Sequence, residues 1–240
     1  MASDQKVAII TGASRGIGAS LMKGFREIGY GVVANSRLIS KADIPDDPDI
    51  LLVDGDIARP DTAERIVSAA IARFGRIDTL VNNAGLFIAK PFVEYSEADF
   101  TAMIAVNLAG FFHISQKVIP WMLQAGSGHV VNITSSIAEQ PQASLVAALA
   151  SLTKVGLNAA TRALAIEYAG RRIRVNAVSP GVIRTPMHSP EAYDFLATLQ
   201  ATGRMGEPQD IRDAVLYLEK ADFVTGEILH VDGGASAGRW

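Results

Sequence analysis

The 240-residue sequence contains no cysteine, which excludes a disulfide framework, a thiolate nucleophile and a cysteine-ligated zinc site. Its four histidines never fall at metal-ligand spacing, and no metal is expected. No uninterrupted apolar run approaches the roughly 20 residues of a membrane span. The polar start followed by a short apolar run has neither the n-region nor the long h-region of a secretory leader. An excess of one charge is missing too: 22 Lys and Arg face 25 Asp and Glu, a net charge of −3. That balance gives no electrostatic reason to expect nucleic acid or an anionic membrane as partner. A soluble cytoplasmic protein is the default expectation.

What the chain does have is apolar content, 49 % of its residues, enough for one sizeable core. Short β-branched runs at 6–10, 31–34, 50–53, 79–82, 129–133, 174–178 and 228–231 read as strands. Several are apolar throughout, the pattern of strands covered on both faces in a parallel sheet. Helical patterns at 16–28, 62–74, 97–125, 147–169 and 208–219 alternate with them. Strand–helix alternation builds βαβ units. The expected fold is α/β, a Rossmann-type doubly wound, mostly parallel seven-stranded sheet with helices on both faces. No repeat or linker interrupts it, so residues 1–240 read as one domain, with a lid near 183–206 that carries Pro186, Pro190 and Gly203.

The strongest local signal is VAIITGASRGIG, in which a strand runs into Gly12, Gly16 and Gly18 and a helix starts inside the glycine set. Such a turn lets backbone N–H groups at a helix start approach a pyrophosphate. A dinucleotide site that prefers NAD places a carboxylate on the ribose after the second strand. Here that position reads Asn35-Ser36-Arg37, with no acid. Serine and arginine suit a 2′-phosphate, which demands charge-assisted donors. NADP(H) is therefore expected in preference to NAD(H).

The spacing of TGASRGIG resembles the phosphate loop of the short-chain dehydrogenase/reductase family, and the resemblance continues along essentially the whole chain. Asp56 in VDGDI, the run Asn82-Asn83-Ala84-Gly85, Asn107, Ser135 in NITSS, Pro180-Gly181 through Thr185, and VDGG near the C-terminus match successive family motifs. The resemblance implies a cofactor site of Gly12, Ser14, Arg15, Gly16, Ile17, Gly18, Ser36, Arg37, Asp56, Ile57, Asn83, Ala84, Gly85, Lys154, Pro180, Gly181, Ile183 and Thr185. It implies Ser135, Lys154 and Asn107 as catalytic residues, with Arg15 as a second basic residue of the NADP type. A homodimer or homotetramer through the two long helices is likewise implied by the family.

The family's Tyr-x-x-x-Lys motif is incomplete. TRALAIEYA sets the register, so that the lysine is Lys154 and the tyrosine position is Ala150. No tyrosine lies between Tyr95 and Tyr168, and the Ser135-to-150 interval is longer than usual for the family. Three readings follow: a carbonyl reductase using Lys154, Ser135 and water or a lid donor; an enzyme for an activated carbonyl or imine; and a nucleotide-binding pseudoenzyme with a sensing or scaffolding role. His188 and Tyr193 in the lid are candidate substitute acids, and Ser151 is a poor one. His113 reads as a packing residue and His129 as a structural one.

Overall fold

The computed structural model describes residues 5–238. Seven strands form one sheet: β1 (Val7–Thr11), β2 (Gly31–Ser36), β3 (Ile50–Asp54), β4 (Thr79–Asn82), β5 (Gly128–Ile133), β6 (Ile173–Pro180) and β7 (Ile228–Val231). Their order is β3-β2-β1-β4-β5-β6-β7, and every pairing is parallel. Successive side chains of a strand point to opposite faces, and both faces are covered. Ile9, Leu80, Val130 and Val175 face α2 (Pro60–Phe74), α4 (Gly110–Ala125) and α5 (Ala148–Tyr168) through Ile66, Ile114, Met122 and Ala165. Ile10, Val81, Val131 and Val178 face α1 (Gly16–Glu27) and α7 (Pro208–Lys220) through Leu21, Phe25, Ile211 and Val215. The expected fold class is the observed one.

The sheet winds one way from β1 to β3 and the other way from β4 to β7. The β1–β4 boundary is thus a topological switch point, outside whose carboxyl ends open α/β sheets bind their ligands. The 97–125 region is not a single regular helix. It comprises α3 (Glu97–Met103), a π-helical segment (Ile104–Ala109) and α4. Asn107 sits within the π segment, where the wider turn re-aims its side chain. This stretch is long and apolar enough to cross a membrane by length and composition, but Met103, Ile114, Val118 and Met122 are spent on the core.

After β6 the chain makes the expected excursion over the carboxyl edge, with α6 (Tyr193–Ala197) inside it. Its ends are cross-linked, since Gly206 N–H donates to the Val182 carbonyl and Arg184 N–H to that of Gly206. Leu196, Leu199 and Met205 give it a small apolar core of its own. At the opposite edge of the sheet, His129 is buried between Glu219 (2.7 Å) and Asn176 (3.1 Å), and burial pushes its pKa down. A neutral ring donating to Glu219 and accepting from Asn176 satisfies both nitrogens. His129 is structural, far from the carboxyl-edge cleft.

Candidate functional site

A cleft of about 790 Å³ opens along the carboxyl ends of the strands, within the size of small-molecule sites generally. Every residue of the expected cofactor set lines it. Ser14 through Gly18 come from the β1–α1 turn, Ser36 and Arg37 from the end of β2, Asp56 and Ile57 from beyond β3, and Asn83 to Gly85 from beyond β4.

The floor of this cleft is built to meet an anion. The first turn of α1 has no side-chain cap from Arg15, so its N–H groups remain to be satisfied from outside the helix. Gly16 adopts φ +56°, and a Cβ there would stand 3.1 Å from the Thr185 methyl across the cleft. Gly18 serves a different need: a Cβ on it would lie 2.2 Å from the Gly12 carbonyl oxygen, so it lets helix and strand touch. Asn83 binds this turn from the neighbouring strand, its Nδ2 donating to the carbonyls of Thr11 (2.9 Å) and Gly12 (3.1 Å). These features fit a nicotinamide dinucleotide with its pyrophosphate at the start of α1. No carboxylate stands at the end of β2; Asn35 there donates to the Val53 and Gly55 carbonyls, while Arg37 is exposed at the rim.

The expected catalytic residues divide. Ser135 and Lys154 line the cleft together. The Ser135 side chain makes no capping hydrogen bond to the short turn it begins. Lys154 is buried, donates from Nζ to the Ile133 carbonyl at 2.9 Å, and lies beside the Gly85 backbone. Burial pushes its pKa down to about 8. Asn107 stands apart from the main cleft, at a small adjoining cavity. Its Oδ1 accepts from Leu86 N–H, and its Nδ2 donates to the Leu86 carbonyl and to Thr153 Oγ1. It shapes the segment after β4, and a Cβ on Gly85 there would meet both Lys154 Nζ at 3.3 Å and Asn107 Oδ1 at 3.6 Å.

Ala150, one helical turn before Lys154, is 1 % exposed and absent from the cleft wall. Its methyl belongs to an apolar cluster with Met103, Ile137 and Leu149, bordered by Leu145 and Tyr95. The side chain there is covered, not an opening waiting for a larger group. Ser151 is likewise turned away, its hydroxyl directed to the Ile137 carbonyl. Of the two lid candidates, His188 lines the cleft and Tyr193 does not; the Tyr193 ring lies under the Arg184 guanidinium at 4.9 Å. Burial pushes the His188 pKa down, leaving it neutral near pH 7.

Sequence reading misses the 139–147 loop. Gln142 and Leu145 reach the cleft wall from it. Glu139 anchors the loop by accepting from Asn158 Nδ2 (2.8 Å) on α5 and pairing with His230 on β7. Gln142 Nε2 donates to the Leu199 carbonyl at 3.0 Å, joining the loop to the lid. The longer Ser135-to-150 interval is the signal that this wall differs, but nothing in the residues announces where it goes.

Residues 12–236 match the family model described as enoyl-(acyl carrier protein) reductase. The chain is 36 % identical to the 3-oxoacyl-[acyl-carrier-protein] reductase of Thermotoga maritima, over 98 % of this chain and 99 % of that one. It is 38 % identical to the (2S)-[(R)-hydroxy(phenyl)methyl]succinyl-CoA dehydrogenase subunit BbsD of Thauera aromatica, over 98 % of each. Among solved structures, a point variant of ElxO with NADPH bound superposes with a TM-score of 0.90 at 27 % identity, covering 98 % of this chain and 100 % of that one. The 3-ketoacyl-(acyl-carrier-protein) reductase of Brucella melitensis complexed with NADH gives 0.88 at 31 %, with 98 % and 100 % covered.

Two expectations come from this geometry. Gly16→Val fills the gap before Thr185 and should abolish nucleotide binding in calorimetric titration while circular dichroism shows the fold retained; undiminished affinity would remove the loop from the site. Ala150→Tyr forces a ring into a filled cluster and should destabilise the protein by about 1–3 kcal/mol in urea denaturation. An unchanged midpoint would mean that position 150 opens freely to the cleft.

Proposed function

The chain belongs to the short-chain dehydrogenase/reductase family, and from that membership we propose that it is an NADP(H)-dependent oxidoreductase interconverting a small carbonyl or imine and its reduced form without the family's tyrosine. The observation that carries this reading is the pairing of Ser135 and Lys154 in one cleft with the uncapped start of α1. Bound nicotinamide supplies the hydride in the reducing direction. The protein's own task is to bind, orient and deliver a proton.

Ser135 Oγ polarises the carbonyl oxygen. Lys154 Nζ holds the proton that this oxygen takes, directly or through one water. Its depressed pKa of about 8 suits proton exchange close to neutrality better than an ordinary lysine near 10.4 does. Among the described groups weighed as substitute acids, Lys154 alone combines a place in the cleft with a proton at pH 7. His188 is neutral there, and Tyr193 and Ser151 face elsewhere. General acid catalysis contributes about 10²–10⁴-fold, so a weaker donor slows turnover without abolishing it. The covered Ala150 methyl also favours a second reading, a nucleotide-binding protein without turnover.

Arg37 and Arg15 at the mouth of the cleft support NADP(H), and the ElxO likeness agrees with it. The protein works in the cytoplasm as a homodimer or homotetramer. Exposed Phe112 and Trp121 on α4 and Leu152, Val155 and Ile166 on α5 support self-association through these helices. Nucleic acid and membrane are not among its partners.

Two measurements test this reading. NADPH should bind more tightly than NADH, and Arg37→Ala should narrow the difference by about tenfold; equal affinities in the unmodified protein would make the arginine an ordinary surface charge. In the reducing direction, turnover should be level at low pH and decline as pH rises through about 8, when Lys154 loses its proton. Lys154→Arg, which does not titrate there, should lose that limb. A wild-type profile flat from pH 7 to 9 would rule Lys154 out as the acid, and NADPH binding without oxidation against ketones and imines would favour the second reading.

A further inference from the structure

The two ends of the cleft differ in charge. The end built from the β1, β2 and β3 turns carries Arg15, Arg37 and Asp56. Past Lys154, toward the 139–147 loop and the lid, no acidic, Lys or Arg side chain contributes to the wall among the described residues. Phe87, Ala102, Ile137, Leu145, Leu196 and Leu199 make up most of it. Uncharged polar side chains interrupt it, Gln142 and His188 among them. Gln142 donates from Nε2 to the Leu199 carbonyl, and His188 is kept neutral by partial burial.

We propose that the substrate held at this end is an uncharged ketone, or the matching alcohol, with an apolar body against the Leu145–Leu196–Leu199 wall, and that Leu145 enforces this preference. The proposal rests on the oxidoreductase reading and narrows its substrate class. A carboxylate or phosphate placed here would lose its hydration and find no fixed cation along the wall, which disfavours an unpaired charge. Lys154 does not compensate, because its ammonium lies deeper, against Ile133 and Gly85. An apolar chain gains instead about 25 cal/mol for each Å² it buries.

The position of Leu145 is defined from both sides. Glu139 ties the start of its loop to α5 and β7, and the Gln142–Leu199 bond ties the middle to the lid. Gln142 and Leu145 form a short antiparallel bridge, with Leu145 N–H donating to the Gln142 carbonyl. Leu145 is shared between the cluster around Ala150 and that of the lid. One side chain thus closes the wall where loop and lid meet.

The test uses the full-length protein saturated with NADP⁺, whose binding is measured first. Absence of that binding would count against the cofactor reading and not against the substrate class. Methyl 4-oxooctanoate and the free acid 4-oxooctanoate are then titrated by calorimetry. They share a ketone and chain and differ in charge, and the readout needs no turnover. The ester should bind at least about tenfold more tightly than the acid. Leu145→Lys, checked for unchanged NADP⁺ affinity, should narrow or reverse that ratio by strengthening the acid. Equal or tighter binding of the acid by the unmodified protein would overturn the proposal, as would failure of the ester to bind at millimolar concentration. An unchanged ratio in folded Leu145→Lys, or in Leu145→Gln should the lysine variant not fold, would remove Leu145 from specificity.

Discussion

The cleft exists because the start of α1 touches the end of β1. A Cβ on Gly18 would meet the Gly12 carbonyl oxygen at 2.2 Å, and one on Gly12 would meet Ala84 Cα at 2.8 Å. Strand, helix and the neighbouring β4 turn are therefore in backbone contact at one point. That contact aims the first turn of α1 into the gap where the sheet changes winding direction, and leaves its N–H groups without a side-chain cap. An uncapped helix start is a cost until an anion satisfies it. The same glycines that permit the close packing thus make the site selective for something negatively charged.

From that point a buried polar chain carries geometry across the sheet. Asn82 Nδ2 on β4 donates to Ser115 on α4 and to Asn132 Oδ1 on β5, and Asn132 Nδ2 donates to Thr161 on α5. Thr161 hands its own proton to the Leu157 carbonyl in the same helix. All four side chains are buried. Unsatisfied members of such a network are costly, so its geometry is strongly specified. It fixes α5 against β4 and β5, and with it the height at which Lys154 meets the Ile133 carbonyl. Asn107 does the equivalent on the other side, holding the Leu86 backbone through both its N–H and its carbonyl.

The alternation of strands and helices is legible because the central strands, buried on both faces, are apolar throughout and separated by helix-length amphipathic segments. The cofactor half of the cleft was legible for a related reason, since turns that approach a phosphate need glycine and little else will serve. The other half was not. The π-helical turn at 104–109 is not legible, because Ile104-Ala105-Val106-Asn107-Leu108-Ala109 is nearly all apolar and offers no polar face from which a change of phase could be read. The motif marks Asn107, but not the side-chain bonds to Leu86 and Thr153 that hold it in place. Ala150 reads in sequence as a gap, since sequence shows the side chain that is absent and not Ile137 and Leu149 that cover it. Gln142 and Leu145 lie in a loop without periodicity, and only the tertiary bonds to Asn158, His230 and Leu199 bring them to the site.

The proposed use of Lys154 as proton donor and the apolar wall beside it are chemically connected. A lysine in water near pH 7 is a poor acid, because its pKa is more than three units away. Apolar surroundings that strip water from the ammonium destabilise its charged form and bring the pKa down. Lys154 has no carboxylate among the influences on its pKa to oppose that shift; burial alone accounts for the value of about 8. An acidic side chain packed beside Nζ would restore the ordinary value by stabilising the ammonium. An uncharged apolar substrate brings no charge that would oppose that desolvation. The proposed preference for a neutral substrate and the proposed use of lysine as proton donor are therefore linked, since both need negative charge kept out of the same end of the cleft.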